Sequence, residues 1–170
     1  MSPVPHWSLF GALLLLASAC GFQPLYGERA GASASDQLAS IRIQPIADRS
    51  GQILYNALRD GLNPVGRPAS PEYVLHVKLD ETSDEVLLRA DETATRVNLT
   101  LTATFGLYAG DAKEPVLNGV TRTTAAYNVL DSPYATVTSE EDARKRALND
   151  MAREIRTRLA VFLTRQASAD

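Results

Sequence analysis

Apolar and polar residues follow two different periods along this chain, and the switches between them mark out its elements. Ile41 and Ile43 alternate with Arg42 and Gln44, the period of two that signals a half-buried strand, and Pro45 ends it or marks a sheet edge. Ile53, Leu54, Ala57 and Leu58 then fall on one stripe at helical spacing, with Asp48 or Ser50 available as the cap and Gly61 and Asn63-Pro64 as the stop. After a loop holding Pro64, Pro68 and Pro71, the period returns to two: Tyr73, Leu75, Val77 and Leu79 alternate with Val74, His76 and Lys78. The acidic stretch from Asp80 to Glu92 reads as an exposed hairpin region, in which Val86 to Leu88 can extend a strand. The clearest strand runs from Thr95 to Tyr108. Val97, Leu99, Leu101, Ala103, Phe105 and Leu107 share one side of it, and Asn98, Thr100, Thr102 and Thr104 the other. A turn at Gly110-Asp111 leads into a further threonine-rich strand, Pro115 to Asn128, with Thr121, Thr123 and Thr124.

The last element is a long amphipathic helix. Thr138 with Glu141 has the form of a capping box, and Glu140, Glu141 and Asp142 suit the positive end of a helix dipole. From Ala143 onward Leu148, Met151, Ile155, Leu159 and Phe162 recur at helical spacing, while Arg144, Lys145, Arg146, Arg153, Arg156, Arg158 and Arg165 take the other side. The order β-α-β-β-β-α predicts an α+β fold with two helices packed on one face of a four-stranded sheet, since strands that are apolar on one side and uncharged but polar on the other need cover on one side only.

Composition narrows the functional classes. With 170 residues, 45% hydrophobic and 22% charged, the chain has the make-up of one ordinary globular domain. The net charge of −3 lacks the basic footprint of a general nucleic-acid binder. Before Cys20 there is no Lys, Arg, Asp or Glu. An apolar run from Leu9 to Ala17 there is too short to span a membrane and has the length of a secretory signal core. Residues 1–19 are therefore expected to be a signal peptide. Residues 20–40, rich in Gly, Ala and Ser from Glu28 on, should form a flexible tether, and residues 41–166 the folded domain.

Candidate chemistry is sparse. His76 is the one histidine after the signal and Cys20 the one cysteine, too few donors for a zinc site. No nucleophile elbow, P-loop or dinucleotide fingerprint occurs, so an enzyme is not expected. The carboxylates between Asp80 and Glu92 could hold Ca²⁺, but their irregular spacing fits a solvated acidic hairpin better. Lys78, Arg89, Arg96 and Arg122 lie on or near the central strands. They are candidates for phosphate contacts, with plain solubilising surface charge as the other reading. The threonine-rich side of the sheet either faces solvent or lies against a polar wall.

Several segments resemble known sequences. Ala17-Ser18-Ala19-Cys20 resembles a bacterial lipobox, which implies that Cys20 becomes the mature N-terminus and carries N-acyl and S-diacylglycerol lipid; Gly21 stands where an inner-membrane retention signal would have Asp. Cys20-Gly21-Phe22-Gln23-Pro24-Leu25-Tyr26-Gly27 is similar to the mature start of the LPS-assembly lipoproteins, the LptE family. Thr93-Ala94-Thr95-Arg96, Ala126-Tyr127-Asn128, Ser132-Pro133-Tyr134-Ala135 and Glu141-Asp142-Ala143 resemble its alphaproteobacterial branch, in the right order along the whole mature chain. The resemblance implies an outer-membrane lipoprotein on the periplasmic side. It would plug and help assemble the LPS-assembly β-barrel LptD, bind lipopolysaccharide during its delivery, and need no cofactor beyond the lipid on Cys20. Two other classes compete: an accessory lipoprotein of another envelope lipid transporter, and a hydrolase.

Overall fold

A computed structural model describes residues 36–87 and 95–168. Six elements follow one another: β1 (Ile41–Ile43), α1 (Asp48–Leu62), β2 (Tyr73–Leu87), β3 (Thr95–Ala109), β4 (Leu117–Asn128) and α2 (Pro133–Ala167). The strands form one sheet in the order β1-β2-β3-β4, with β1 parallel to β2 and the other neighbours antiparallel. Both helices contribute to one apolar cluster with the same side of the sheet, so the α+β arrangement and element order expected from the periodicity are the ones observed.

The core is built from the six alternate β3 residues read from the sequence, Val97 through Leu107, all buried. Leu54, Leu58 and Leu62 of α1, and Leu148, Met151, Ile155 and Leu159 of α2, close over them. Phe162 is only partly buried, and Leu163, at 1% exposure, takes the deep position near the end of α2. Ala143, Ala147 and Ala152 are buried as well; their small side chains let α2 approach the sheet closely. Gly119 has the same role on β4. A Cβ there would lie 2.6 Å from Cζ of Phe105, so the ring fills the space a side chain would need. Leu38, on a helical turn within the segment expected to be tether, packs into the core too.

Four local expectations are corrected. First, the acidic residues from Asp80 to Glu85 lie within a continuous strand: β2 stays paired with β3 from Tyr73↔Ala109 to Leu87↔Thr95. The weak strand preference of Asp and Glu gives way to a full ladder against the strongest strand in the chain. Second, α1 has Ala47 at its N-cap with no side-chain hydrogen bond. Asp48 enters the helix at φ 66°, a left-handed conformation that Asp tolerates better than most residues, and the Ser50 hydroxyl donates instead to Glu81 at 2.7 Å. Third, α2 starts at Pro133, with Ser132 as N-cap, because proline's fixed φ favours the first helical position. Thr138 is already inside the helix, donating to the Tyr134 carbonyl at 3.0 Å, so no capping box forms with Glu141. Fourth, β4 begins at Leu117 instead of Pro115; proline has no N–H to offer a ladder.

Candidate functional site

The open face of the sheet follows from the strand registers. Residues opposite one another across β2, β3 and β4 form rows, and alternate rows point away from the helices. From one end these rows are Val86–Arg96–Asn128, Asp84–Asn98–Ala126, Thr82–Thr100–Thr124, Asp80–Thr102–Arg122, Lys78–Thr104–Val120 and His76–Gly106–Asn118. Threonines and Asn98 line the middle of the face, with the Thr100 and Thr124 hydroxyls 3.4 Å apart, and the charged Asp84, Asp80 and Arg122 share the same rows. Of the three β4 threonines singled out from the sequence, only Thr124 is on this face. Thr121, 6% exposed, and Thr123 share the helix-facing side of the strand.

The candidate basic residues are only partly brought together. Lys78 and Arg122 occupy adjacent rows. Both are engaged: Lys78 pairs with Asp80 at 3.2 Å, and Arg122 Nε donates to Thr102 Oγ1 at 3.4 Å. Arg96 lies six residues along β3 from Thr102, about 20 Å away at ~3.3 Å per residue, so it cannot share a small ligand group with them. Arg89 and Cys20 lie outside the described residues. At the Lys78 end of the face, His76 meets Tyr108 edge to face with ring centroids 4.9 Å apart. These two residues, with Lys78, Thr104 and Asn118, border a shallow depression of about 390 Å³.

On the helix side, ion pairs hold the edge. Arg144 donates to Glu81 at 2.9 Å and to Glu140 at 2.5 Å, with only 19% of its side chain exposed. Burial opposes its charge, but the hydrogen bonds and charges of Glu81 and Glu140 outweigh burial and hold its pKa above the ordinary value. Much of the basic stripe on α2 is matched locally, through Arg146–Asp142, Arg153–Asp150 and Arg158–Glu154, pairs worth only a few tenths of a kcal/mol each. Tyr127, opposite Val97 on this side, has its pKa raised from 10.0 by burial first and by Glu140 second. The folded state therefore favours the neutral phenol, and stability falls as pH rises past 10.0, because the unfolded chain ionises first. Urea titrations at a series of alkaline pH values should show Tyr127→Phe losing less stability across that window than the parent chain.

A second concave site was not legible in the sequence. Arg42 from β1, Arg59 from α1 and Arg67 from the following loop line one pocket of about 290 Å³ with Tyr55 and Gln44. No local period connects three positions on three segments. The only sequence signal was that Arg42 points away from the Ile41/Ile43 side. Among the described residues, no group of His, Cys, Asp or Glu is arranged to hold a metal ion, and no helix is long and apolar enough to cross a membrane.

Comparison with known proteins agrees with this architecture. The chain is 23% identical over 161 residues to the uncharacterised protein RP188 of Rickettsia prowazekii (strain Madrid E), covering 95% of this chain and 99% of that one. Among solved structures it resembles a candidate lipoprotein of Caulobacter crescentus CB15, with TM-score 0.63 and 27% identity over 78% of this chain and 96% of the other. A minor lipoprotein of Acinetobacter baumannii shares the fold at TM-score 0.54 and 18% identity, over 71% and 90% of the two chains. Residues 38–159 match the family model for lipopolysaccharide assembly, LptE; with β1 through most of α2 inside that match, the chain belongs to the LptE family.

Proposed function

We propose that this protein is an outer-membrane lipoprotein that seats its open sheet face against the lumen wall of the LPS-assembly β-barrel LptD, supports that barrel's assembly, and assists lipopolysaccharide on its way to the outer leaflet. One observation carries the reading. The helices cover one side of the sheet, and the other presents Thr82, Thr100, Thr124, Asn98 and Thr102 in its central rows, beside Asp80, Asp84 and Arg122. A barrel lumen is polar. The hydroxyls and amides exchange hydrogen bonds with such a wall, and a polar, water-filled lumen keeps the charges of Asp80, Asp84 and Arg122 in the same rows solvated. A lipid on Cys20 holds the domain at the periplasmic surface of the membrane. The protein does no chemistry in this role, in keeping with a family that depends on no cofactor.

The test is co-purification from detergent-extracted envelopes. A stoichiometric outer-membrane barrel is the expected partner, and depletion of the chain should leave that barrel misfolded. Recovery of an inner-membrane transporter would assign the chain to a different lipid route, and recovery of no partner would sink the plug role.

For lipopolysaccharide contact the candidates are Lys78 and Arg122, in adjacent rows on the two sides of β3, Arg96 at the far end of the same face, and Arg89 on the chain between β2 and β3. Charge reversal at Arg122 together with Arg96 is expected to weaken lipopolysaccharide binding roughly tenfold or more, the usual scale for losing charge-assisted hydrogen bonds. Titration of the purified chain with lipopolysaccharide checks this, and unchanged affinity would remove both residues from the ligand path.

A further inference from the structure

We infer that the pocket between β1, α1 and the α1–β2 loop is a phosphate-binding site. Its cationic groups come from Arg42, Arg59 and Arg67, and no carboxylate lines it. Asp60, outside the lining, pairs with Arg59 at 3.0 Å much as Asp80 pairs with Lys78 at 3.2 Å on the open face, but Arg42 and Arg67 have no carboxylate partner among the described residues. The hydrogen bonds these side chains already make leave donors free. Asp60 holds Arg59 through Nε and Nη2, at 3.2 and 3.0 Å, which leaves Nη1. Arg67 donates through Nη2 to the Tyr55 hydroxyl oxygen at 3.2 Å, which leaves Nε, Nη1 and the phenolic hydrogen of Tyr55. Arg42 makes no ion pair or side-chain hydrogen bond among the described residues and keeps its whole fork.

The floor under these donors is rigid. Asn63, 6% exposed, donates both amide hydrogens across the end of α1, to Ala39 O at 2.9 Å and Ile41 O at 3.1 Å. This ties α1, which carries Arg59 and Tyr55, to the strand that carries Arg42. A phosphate monoester, with up to two charges and three acceptor oxygens, matches a set of planar guanidinium forks better than a carboxylate or a single-donor anion does. A volume of about 290 Å³ holds such a group with its first waters and is below the usual size of a site that encloses a larger organic ligand. The ligand's remainder must therefore leave the pocket. It has an exit, because Gln44 and Pro45 wall both this pocket and the depression beside His76 and Lys78.

The phosphate can belong to a lipid headgroup or be free in solution, and one titration separates the two. The full chain in non-ionic detergent is titrated with inorganic phosphate, with dihexanoyl phosphatidic acid, and with dihexanoyl phosphatidylcholine as a lipid whose phosphate is a neutralised diester. Binding of phosphatidic acid over phosphatidylcholine assigns the site to a headgroup monoester; binding of inorganic phosphate with no gain from the lipid assigns it to the free ion. In either case the triple substitution Arg42→Ala, Arg59→Ala and Arg67→Ala is expected to reduce affinity at least tenfold, as is raising the ionic strength to ~1 M. Lys145→Glu, an exposed change of net charge on α2, should leave affinity in place. All three arginines are exposed, and matching circular dichroism melts will confirm that the triple variant folds. The proposal is overturned if the parent chain binds neither phosphate nor phosphatidic acid, or if the triple variant binds as tightly as the parent. Barrel co-purification is not read in this titration, so the plug role and the phosphate site can fail separately.

Discussion

Leu101→Ala should lower the unfolding free energy by about 3 kcal/mol, within the 2–5 kcal/mol range for emptying a fully buried leucine site. Leu101 has no exposure and sits at the middle of β3, with Glu81 of β2 on one side and Thr123 of β4 on the other. It belongs to the cluster in which α1, α2 and β3 meet. Neither the neighbouring strands nor the helices can collapse into the space left behind, because the strands are held by ladders and α2 is set close to the sheet by buried alanines. A single domain of this size is stable by roughly 5–15 kcal/mol, so the loss is a large share. Urea unfolding of the purified chain, followed by circular dichroism, should show a lower midpoint with an unchanged slope. Val120→Ala, on the open face with the valine 54% exposed, should change stability by no more than about 0.5 kcal/mol. If the two variants were equally destabilised, the assignment of a covered and an open face would be wrong.

That contrast depends on the feature most legible in the sequence. β3 alternates without a break over its whole length, and a strict period of two admits only one sidedness. Once β3 is fixed, the apolar stripes of α1 and α2 have only one surface to cover. The acidic half of β2 was hidden because its strand character is borrowed: Asp80, Thr82 and Asp84 stand in a ladder opposite Thr102, Thr100 and Asn98, and propensity read along one segment does not contain its partner. The start of α2 was displaced for a local reason. Two valid start signals lie a few residues apart, and Ser132-Pro133 acts before Thr138 can. The result is a helix of 35 residues, about 50 Å long at ~1.5 Å per residue, which matches the reach of the 15-residue strands β2 and β3.

The candidate site was less legible than the fold, since ligand groups are assembled by register and by chain reversal. Lys78 and Arg122 are 44 positions apart and reach adjacent rows, on the two sides of β3, only through the β2–β3 and β3–β4 pairings. Arg96 shares their face by parity yet lies far down it. The arginine pocket is the extreme case, drawn from a three-residue strand, one turn of a helix and a loop. These two sites also differ in electrostatics. The sheet face sets Asp80 and Asp84 among Lys78 and Arg122, whereas the pocket gathers three arginines, of which only Arg59 pairs with a carboxylate, Asp60, so an overall charge of −3 coexists with a local cationic site.

Replacing Cys20 by Ser is expected to have the largest effect on function, by releasing the protein from the membrane altogether. The proposed anchor is the lipid on Cys20, and the net charge of −3 gives the domain no general attraction to anionic headgroups. Each buried methylene contributes about 0.8 kcal/mol, so one acyl chain holds a protein only marginally while two or more hold it durably. A serine at this position offers no sulfur for the thioether, and the proposed diacylglycerol chains are lost together. The parent chain should therefore sediment with membranes and show, by mass spectrometry, an acylated N-terminal cysteine. The variant should appear in the soluble fraction with no lipid mass. Barrel recovery should fall with it, because confinement to one membrane raises the effective concentration of two partners well above that of free diffusion. A Ser variant that stays in the membrane pellet, or a parent chain whose Cys20 carries a bare thiol, would end the anchoring proposal and leave the LptE-family domain to reach its partner by some other route.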